Sequence, residues 1–584
     1  MFSFPKLSYL CVIVFCLAIS GCDKPQTSDD VVETYIQKWV DFYPSRAFSE
    51  GVRSAAGQFE DFSENNVTAW VAYNHEVIRI LPALLEGVSL DRKIDGQVLL
   101  RRVRMELERW EQDRVLYHQP QWYAEIISQA LTYLLVSEEL TSEEKFEAVL
   151  RRLEGIRSLS HLGIKTLNDA SPERTSGALR TLDQTAAFFE GNLPGLMRSW
   201  VGEGKYERIN KTTRDTAAVV RELAVHIRDN ILLHATLPDS YGREAYARKL
   251  EIRTGEDITP EELAAQALTE VGRTRGMMVA EAQKWWQANH GGQQRPGDDK
   301  ELLKRAVAAM EDDRVDSNKD FLDQFIDITA KAEQFVIEHD LATVPQPTTL
   351  YIALSPDHFS GAAVGGVYQA GPFAPDLNTL FYLPSVPENA SDKQREGFYR
   401  SFNNHFNAMI ISHEMFPGHY LQAKVSVVHA SKIRSLFADG TYVEGWGSFS
   451  ELIMLDAGWS ENNHLTRLAH LRKRLENATR AYLSVMVHTA GWDKERLTAF
   501  ATTKGLLAPQ FAINLWRRVI NSPLQLPTYF MGFHGFSKLW AAEQARLGKD
   551  FSTRDFVDGV LRTGPIPLKA LEAVFQQKHA MTEK

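Results

Sequence analysis

From Val31 to about Glu338 the apolar residues return at helical spacing, and this constrains the fold more than anything else in the chain. In "DGQVLLRRVRMELERWEQDRV", Val98, Leu99, Val103, Leu107 and Trp110 fall on one side at steps of three and four, the pattern of an amphipathic helix. "TAAVVRELAVHIRDNILLHATL" reads the same way. A chain that begins like this must bury its apolar stripes by packing helix on helix. The polar stretches "NHGGQQRPGDDK" and "LNDASPERTSG" read as connections, too short for flexible interdomain linkers. No internal repeat or low-complexity tract interrupts the pattern.

Between about Val344 and Pro384 the texture changes to short β-branched and apolar runs punctuated by Gly, Pro and Asp, which predicts a small sheet inside a helical protein. Gly365 and Gly366, with Tyr368 beside them, either let a substrate backbone approach closely or form a turn between structural strands. From Arg395 the pattern is helical again. The expectation is a mainly α protein with one large domain over 32–584: a helical half (32–340), a small sheet (341–385) and a second helical half (386–584). At 44% hydrophobic and 24% charged residues over 584 positions, the composition is that of a soluble globular body. A net charge of −10 without a long basic run lacks the electrostatic footprint of nucleic-acid binding. Nothing in the sequence sets the oligomeric state.

Residues 1–21 read as an export signal: Lys6, then an apolar run from about Leu7 to Ile19, shorter than the roughly 20 residues of a spanning helix. "ISGC" resembles the bacterial lipobox, cleaved before its cysteine. The resemblance implies a lipidated Cys22, a polar tether over 22–31, and a protein held to a membrane by lipid and facing the periplasm. Asp23 resembles the inner-membrane retention signal of enteric bacteria. Cys11, Cys16 and Cys22 are the only cysteines, and two lie in the segment to be removed. No disulfide can then form within a mature chain, and stability rests on burial.

The chemistry concentrates in "ISHEMFPGHYLQ", residues 411–422. In the zinc-peptidase pattern H-E-x-x-H, two histidines one turn apart bind the metal and the intervening glutamate activates water. Here His419 follows His413 by six positions, about 240° round a regular helix. Pro417 removes a hydrogen bond to the His413 carbonyl and clashes with it, and Gly418 adds backbone freedom. The expectation is a two-residue bulge at Pro417 and Gly418 that returns His419 to the face of His413. A third ligand must come from elsewhere. "TYVEGWGSFSELIML" offers Glu444 and Glu451, seven residues apart and nearly stacked on one helical face.

"HEMFPGHYLQ", "YVEGWGSFSE", "RVINSPLQLPTYFMG" and "FSTRDFVDGVLRTGPIPLKALE" together resemble the bacterial domain-of-unknown-function 885 family, and "FYPSRAFSEGVRSAAGQFEDFS" extends the likeness toward the N-terminus. That family is similar to the neurolysin and thimet-oligopeptidase group of zinc metallopeptidases, the gluzincins. The resemblance implies a large helical, cleft-containing fold, with the small sheet beside the active site. It also implies one Zn2+ per chain on His413, His419 and Glu444. Glu414 would be general base, Glu451 would orient a ligand, and Tyr529, with His534 as substitute, would stabilise the oxyanion. Arg518 either clamps a substrate carboxylate or forms a structural ion pair. In "RAYLSVMVHTAGW" the family has an acid four residues before the histidine. Ser484 stands there instead, so His488 is either a site residue or a packed helix histidine. The function implied is a zinc-dependent peptidase acting on short or unfolded peptides. The alternatives are a zinc amidase or esterase for a non-peptide substrate, and a non-catalytic periplasmic peptide-binding lipoprotein.

Overall fold

A computed structural model of the chain describes residues 26–355 and 366–582. The expected export signal, Cys22, Asp23 and Gly365 lie outside the described residues. The protein is mainly helical, with one three-stranded sheet. No helix among the described residues is long and apolar enough to cross a membrane.

Local chemistry explains where the helices that matter begin and end. Helix α1 (Leu90–Leu107) is capped by the Ser89 hydroxyl and buries Ile94, Val98, Leu99 and Val103. Trp110, in the turn that continues it, is also buried. The same face carries Glu106, fully buried and ion-paired to Arg102 and Arg109. Helix α2 (Arg243–Thr254) stops at Gly255, whose φ of +68° suits glycine. Helix α3 (Pro260–Asn289) starts with a capping box between Thr259 and Glu262 and a proline in its first turn. The connection read in "LNDASPERTSG" is shorter than its sequence suggested, because a helix already starts at Pro172.

The sheet consists of β1 (Leu350–Leu354), β2 (Gly366–Tyr368) and β3 (Thr379–Leu383) in the order β1-β3-β2. Strand β1 runs parallel to β3 with Leu350 opposite Thr379, and β2 runs antiparallel with Val367 opposite Phe381. After it come α4 (Asn404–Glu414), α5 (His419–His429), α6 (Gly440–Asp456), α7 (His464–Ala490), α8 (Pro509–Asn521) and α9 (Leu526–Leu547).

Helix α3 lies along α7, and α6 along α9. The second pair touches backbone to backbone: a Cβ on Gly445 would stand 2.3 Å from the Gly532 Cα. Two buried cores result. One joins Tyr246–Met310 to Leu465–Met531, and the other joins the N-terminal helices, the sheet and the remaining C-terminal helices. Helices α4 and α9 serve both, because Met409, Phe530 and Met531 belong to the first core while Ile411, Phe533 and Phe536 belong to the second. Glu414, at the end of α4, therefore sits near the seam between the cores.

Candidate metal centre

The motif is not one bulged helix. Helix α4 ends at Glu414, α5 begins at His419, and Met415–Gly418 form a non-helical corner between them. The deviation exceeds the expected two-residue bulge for a steric reason. Pro417 has no N–H for the carbonyl of residue 413. Gly418 then lies so close over that carbonyl that a Cβ would fall 1.9 Å from its oxygen. The corner is held by Leu421 N–H donating to the Met415 carbonyl at 3.2 Å and by Trp446 Nε1 donating to the Pro417 carbonyl at 2.9 Å.

This corner brings the two imidazoles together, with ring centres 4.7 Å apart at 85°. Glu444 Oε2 from α6 lies 3.7 Å from His419 Nε2 and 4.0 Å from His413 Nε2. All three ligand atoms fall within 4.8 Å of one another. A tetrahedral ion with bonds of 2.0–2.1 Å needs ligand atoms about 3.4 Å apart, and two imidazoles plus one carboxylate are a donor set used by catalytic zinc. The residues fit such an ion after a small inward movement. Burial alone would lower the His419 pKa, but the hydrogen bond to Glu444 and the charges of Glu414 and Glu444 push it up to about 9. Burial would raise Glu444, yet its contacts with His419, His413 and Tyr529 hold it down at about 2. Without metal, the pair is a histidinium and a carboxylate.

The candidate ligands are themselves oriented. His413 Nδ1 donates to Glu451 Oε1 at 2.8 Å, which turns Nε2 toward Glu444. His470 Nδ1 on α7 donates to the other oxygen, Oε2, at 2.6 Å. Burial pushes the Glu451 pKa up, but these two imidazoles outweigh it and leave it below the usual carboxylate value. Gln422 Oε1, one turn along α5, accepts from His419 Nδ1 at 3.3 Å. On α6, Gly447 faces the His413 ring so closely that any side chain would strike it.

On the far side of Glu444, Gln525 Nε2 donates to Glu444 Oε1 at 3.2 Å and to the Tyr529 hydroxyl at 2.7 Å. Gln525 Oε1 accepts from Arg518 Nη2 at 3.1 Å. Burial and the Glu444 charge push the Tyr529 hydroxyl up to about 12, so it keeps its proton at neutral pH. Glu414 is half-buried and has no hydrogen-bond or ion-pair partner among the described residues. Gln525, Gln422, His470 and Gly447 are absent from the sequence-derived site. All but His470 stand inside the sequence motifs, Gln422 one turn after His419 and Gly447 three residues after Glu444.

The family of bacterial proteins of unknown function, DUF885, matches residues 44–574. The chain belongs to the DUF885 family. Two solved structures resemble this DUF885 protein over nearly its whole length. One is a candidate lipoprotein of unknown function from Shewanella oneidensis, with 19% identity, a TM-score of 0.77, and coverage of 94% of this chain and 100% of that one. The other is a candidate lipoprotein from Colwellia psychrerythraea, with 16% identity, a TM-score of 0.75, and coverage of 96% and 100%. At these identities the likeness shows a shared fold. No curated protein matches the chain.

Other residues expected at the site of this DUF885 protein lie elsewhere. His488 is buried on α7, where its Nε2 donates to the Val519 carbonyl at 2.9 Å and its Nδ1 accepts from Tyr241 N–H at 3.1 Å. Tyr241 and Tyr246 flank its ring, and burial lowers its pKa to about 4. It is a satisfied core histidine. Ser484, in place of the acid, donates to the Pro523 carbonyl at 2.7 Å and meets the Tyr246 hydroxyl at 3.0 Å. His534 is exposed and stacks on Phe530, because five residues along α9 turn it about 140° away from Tyr529. Tyr368 packs on Tyr133, and Gly366 (φ +97°) opens β2, where an added Cβ would meet nothing within 4 Å among the described residues. The sheet borders α5 instead through Thr349 N–H, which donates to the Tyr420 hydroxyl at 3.1 Å, and through Gln369 Nε2, 3.5 Å from the His419 carbonyl.

Proposed function

We propose that this DUF885 protein is a zinc-dependent hydrolase, with peptides as its substrates. One observation carries the reading: the Nε2 atoms of His413 and His419 and a carboxylate oxygen of Glu444 converge from three helices. The imidazole Nδ1 atoms are meanwhile spoken for by Glu451 and Gln422. A structural ion pair needs no such convergence of two ring nitrogens and a carboxylate, each held from behind by a further side chain. A bound zinc ion would activate water and polarise the scissile carbonyl. Glu414, adjoining His413 and without a hydrogen-bond or ion-pair partner among the described residues, would take the proton from the attacking water and return it to the leaving amine. The protonated Tyr529 hydroxyl would donate to the oxygen on which negative charge develops.

The neurolysin-like, cleft-containing architecture inferred from the motif belongs to the same proposal. So does export as a lipoprotein anchored through Cys22, which "ISGC" and the two structural relatives named as candidate lipoproteins support. Hydrolysis of a mixed peptide library by the full chain, with and without chelator and in Glu414→Gln, tests the function. Turnover should vanish in both cases, and Glu414→Gln should retain one zinc per chain. Full turnover in either would overturn the proposal.

A further inference from the structure

Behind His419 lies a cavity of about 400 Å³, within the size range of small-molecule and peptide-side-chain pockets. It is bounded by α1, α2, the first turn of α6, the inner face of α5 and the segment that follows β2. Its lining is cationic. Arg101 and Arg102 are committed, the first to Asp439 and the second to Glu106. Arg253 also lines it, and its guanidinium has no hydrogen-bond or ion-pair partner among the described residues. A Cβ on Gly440, the first residue of α6, would lie 3.7 Å from Arg253 Nη2, which puts the free guanidinium over the electropositive start of that helix. Burial pulls the Arg253 pKa down, and of the nearby charges only Asp439 raises it while three arginines lower it. Among the described residues Glu50 is the one carboxyl lining the cavity, and burial pushes it up to about 7, so it offsets the arginines weakly at neutral pH.

A second, independent observation points to the same ligand chemistry. Gln422 is 4% exposed and lines the cavity, and its Oε1 is taken by His419. Its Nε2 is buried without a hydrogen-bond partner among the described residues. A buried donor left unmade is costly, and here it shares a cavity with an unpaired cation. An oxygen acceptor would satisfy both groups, and the guanidinium favours an anionic one.

We propose that this cavity is a carboxylate-binding subsite adjoining the metal centre, with Arg253 as the principal cation and Gln422 as a supporting donor. The ligand is a carboxylate on a peptide, either the C-terminus or an acidic side chain. The identification of a peptide rests on the function proposed above, whereas the anion site does not. Val443, which lines the cavity, immediately precedes the ligand Glu444, and Gln422 holds the ligand His419. A peptide anchored here would have its carboxylate one residue from Glu444 and one hydrogen bond from His419.

The test is calorimetric binding to the full chain in the presence of chelator, so that no metal can bind the carboxylate. The probes are acetyl-trialanine, acetyl-trialanine amide and acetyl-Ala-Glu-Ala amide. At least one carboxylate peptide should bind tenfold or more tightly than the neutral amide, and which one does so separates a C-terminal from a side-chain source. Arg253→Gln should bring the ratio within about twofold, Arg253→Lys should retain part of it, and Gln422→Leu should reduce it. Equal or undetectable binding of all three probes to the unmodified chain would overturn the site. So would a preference that survives Arg253→Gln but is lost in Arg518→Gln. Because binding is read without metal, loss of this site and loss of the hydrolase reading are separate outcomes.

Discussion

Gly447 lies flat against the imidazole of His413, so that a Cβ at position 447 would stand 2.7 Å from Nε2, the atom that faces Glu444. The smallest possible side chain on α6 would therefore displace a candidate ligand. Gly447→Ala should cost about 1–3 kcal/mol through overpacking and should lower zinc content more than stability. Metal analysis after dialysis, set beside thermal melting, checks this. A fully loaded alanine variant would contradict it.

Glu451 is shared by two buried imidazoles. A glutamine there has one acceptor oxygen instead of two, so one imidazole must lose its partner or change tautomer. Zinc affinity should fall about 10–100-fold in Glu451→Gln, measured by competition with a chromophoric chelator. His488→Gln, which alters a histidine remote from the three ligands, should destabilise the chain without changing that affinity.

The Tyr529 hydroxyl keeps its proton up to about pH 12 and is held beside Glu444 by Gln525. In Tyr529→Phe, kcat should fall by roughly 10²–10³ while zinc content is unchanged. Steady-state rates on a cleaved peptide give the comparison, and an unaltered kcat would remove Tyr529 from the chemistry.

Glu106 supplies a pH test far from the metal. Its burial raises its pKa, but Arg102, Arg109 and hydrogen bonds from Tyr43 and Trp70 more than compensate and hold it at about 2. A folded-state pKa below the unfolded value of about 4.3 gives stability that is present above pH 4.3 and lost as pH falls toward 2. The amount is roughly 3 kcal/mol. In denaturant titrations the stability gap between the natural chain and Glu106→Gln should therefore close over that window, and a constant gap would refute the assignment.

How much of this was legible in the sequence depends on whether chain proximity or tertiary packing makes the contact. Helical periodicity marked α1 because Val98, Leu99 and Val103 are neighbours along one helix. The seven-residue spacing of Glu444 and Glu451 put two acids on one face of α6 for the same reason. Gln525 and His470 reach the site only because α9 and α7 pack on α6, and no local pattern records that packing. Arg253 comes from still farther along the chain. The corner at Met415–Gly418 was half legible: Pro417 announces a disruption, but how completely the helix breaks is decided by Gly418 pressing on residue 413. His534 shares a helix with Tyr529 but not a face, and helical phase, which the sequence does carry, keeps it from substituting for that tyrosine.

That corner changes what kind of object the candidate metal centre is. In an unbroken H-E-x-x-H helix the bite between the histidines is a constant of the α-helix, available to any peptide that coils. Here it is set by the angle between two separate helices, and that angle depends on Trp446 holding the Pro417 carbonyl from a third. The site is a tertiary property: an excised segment spanning 404–429 has no reason to grip an ion, and in the whole chain the capacity to do so should melt with the fold.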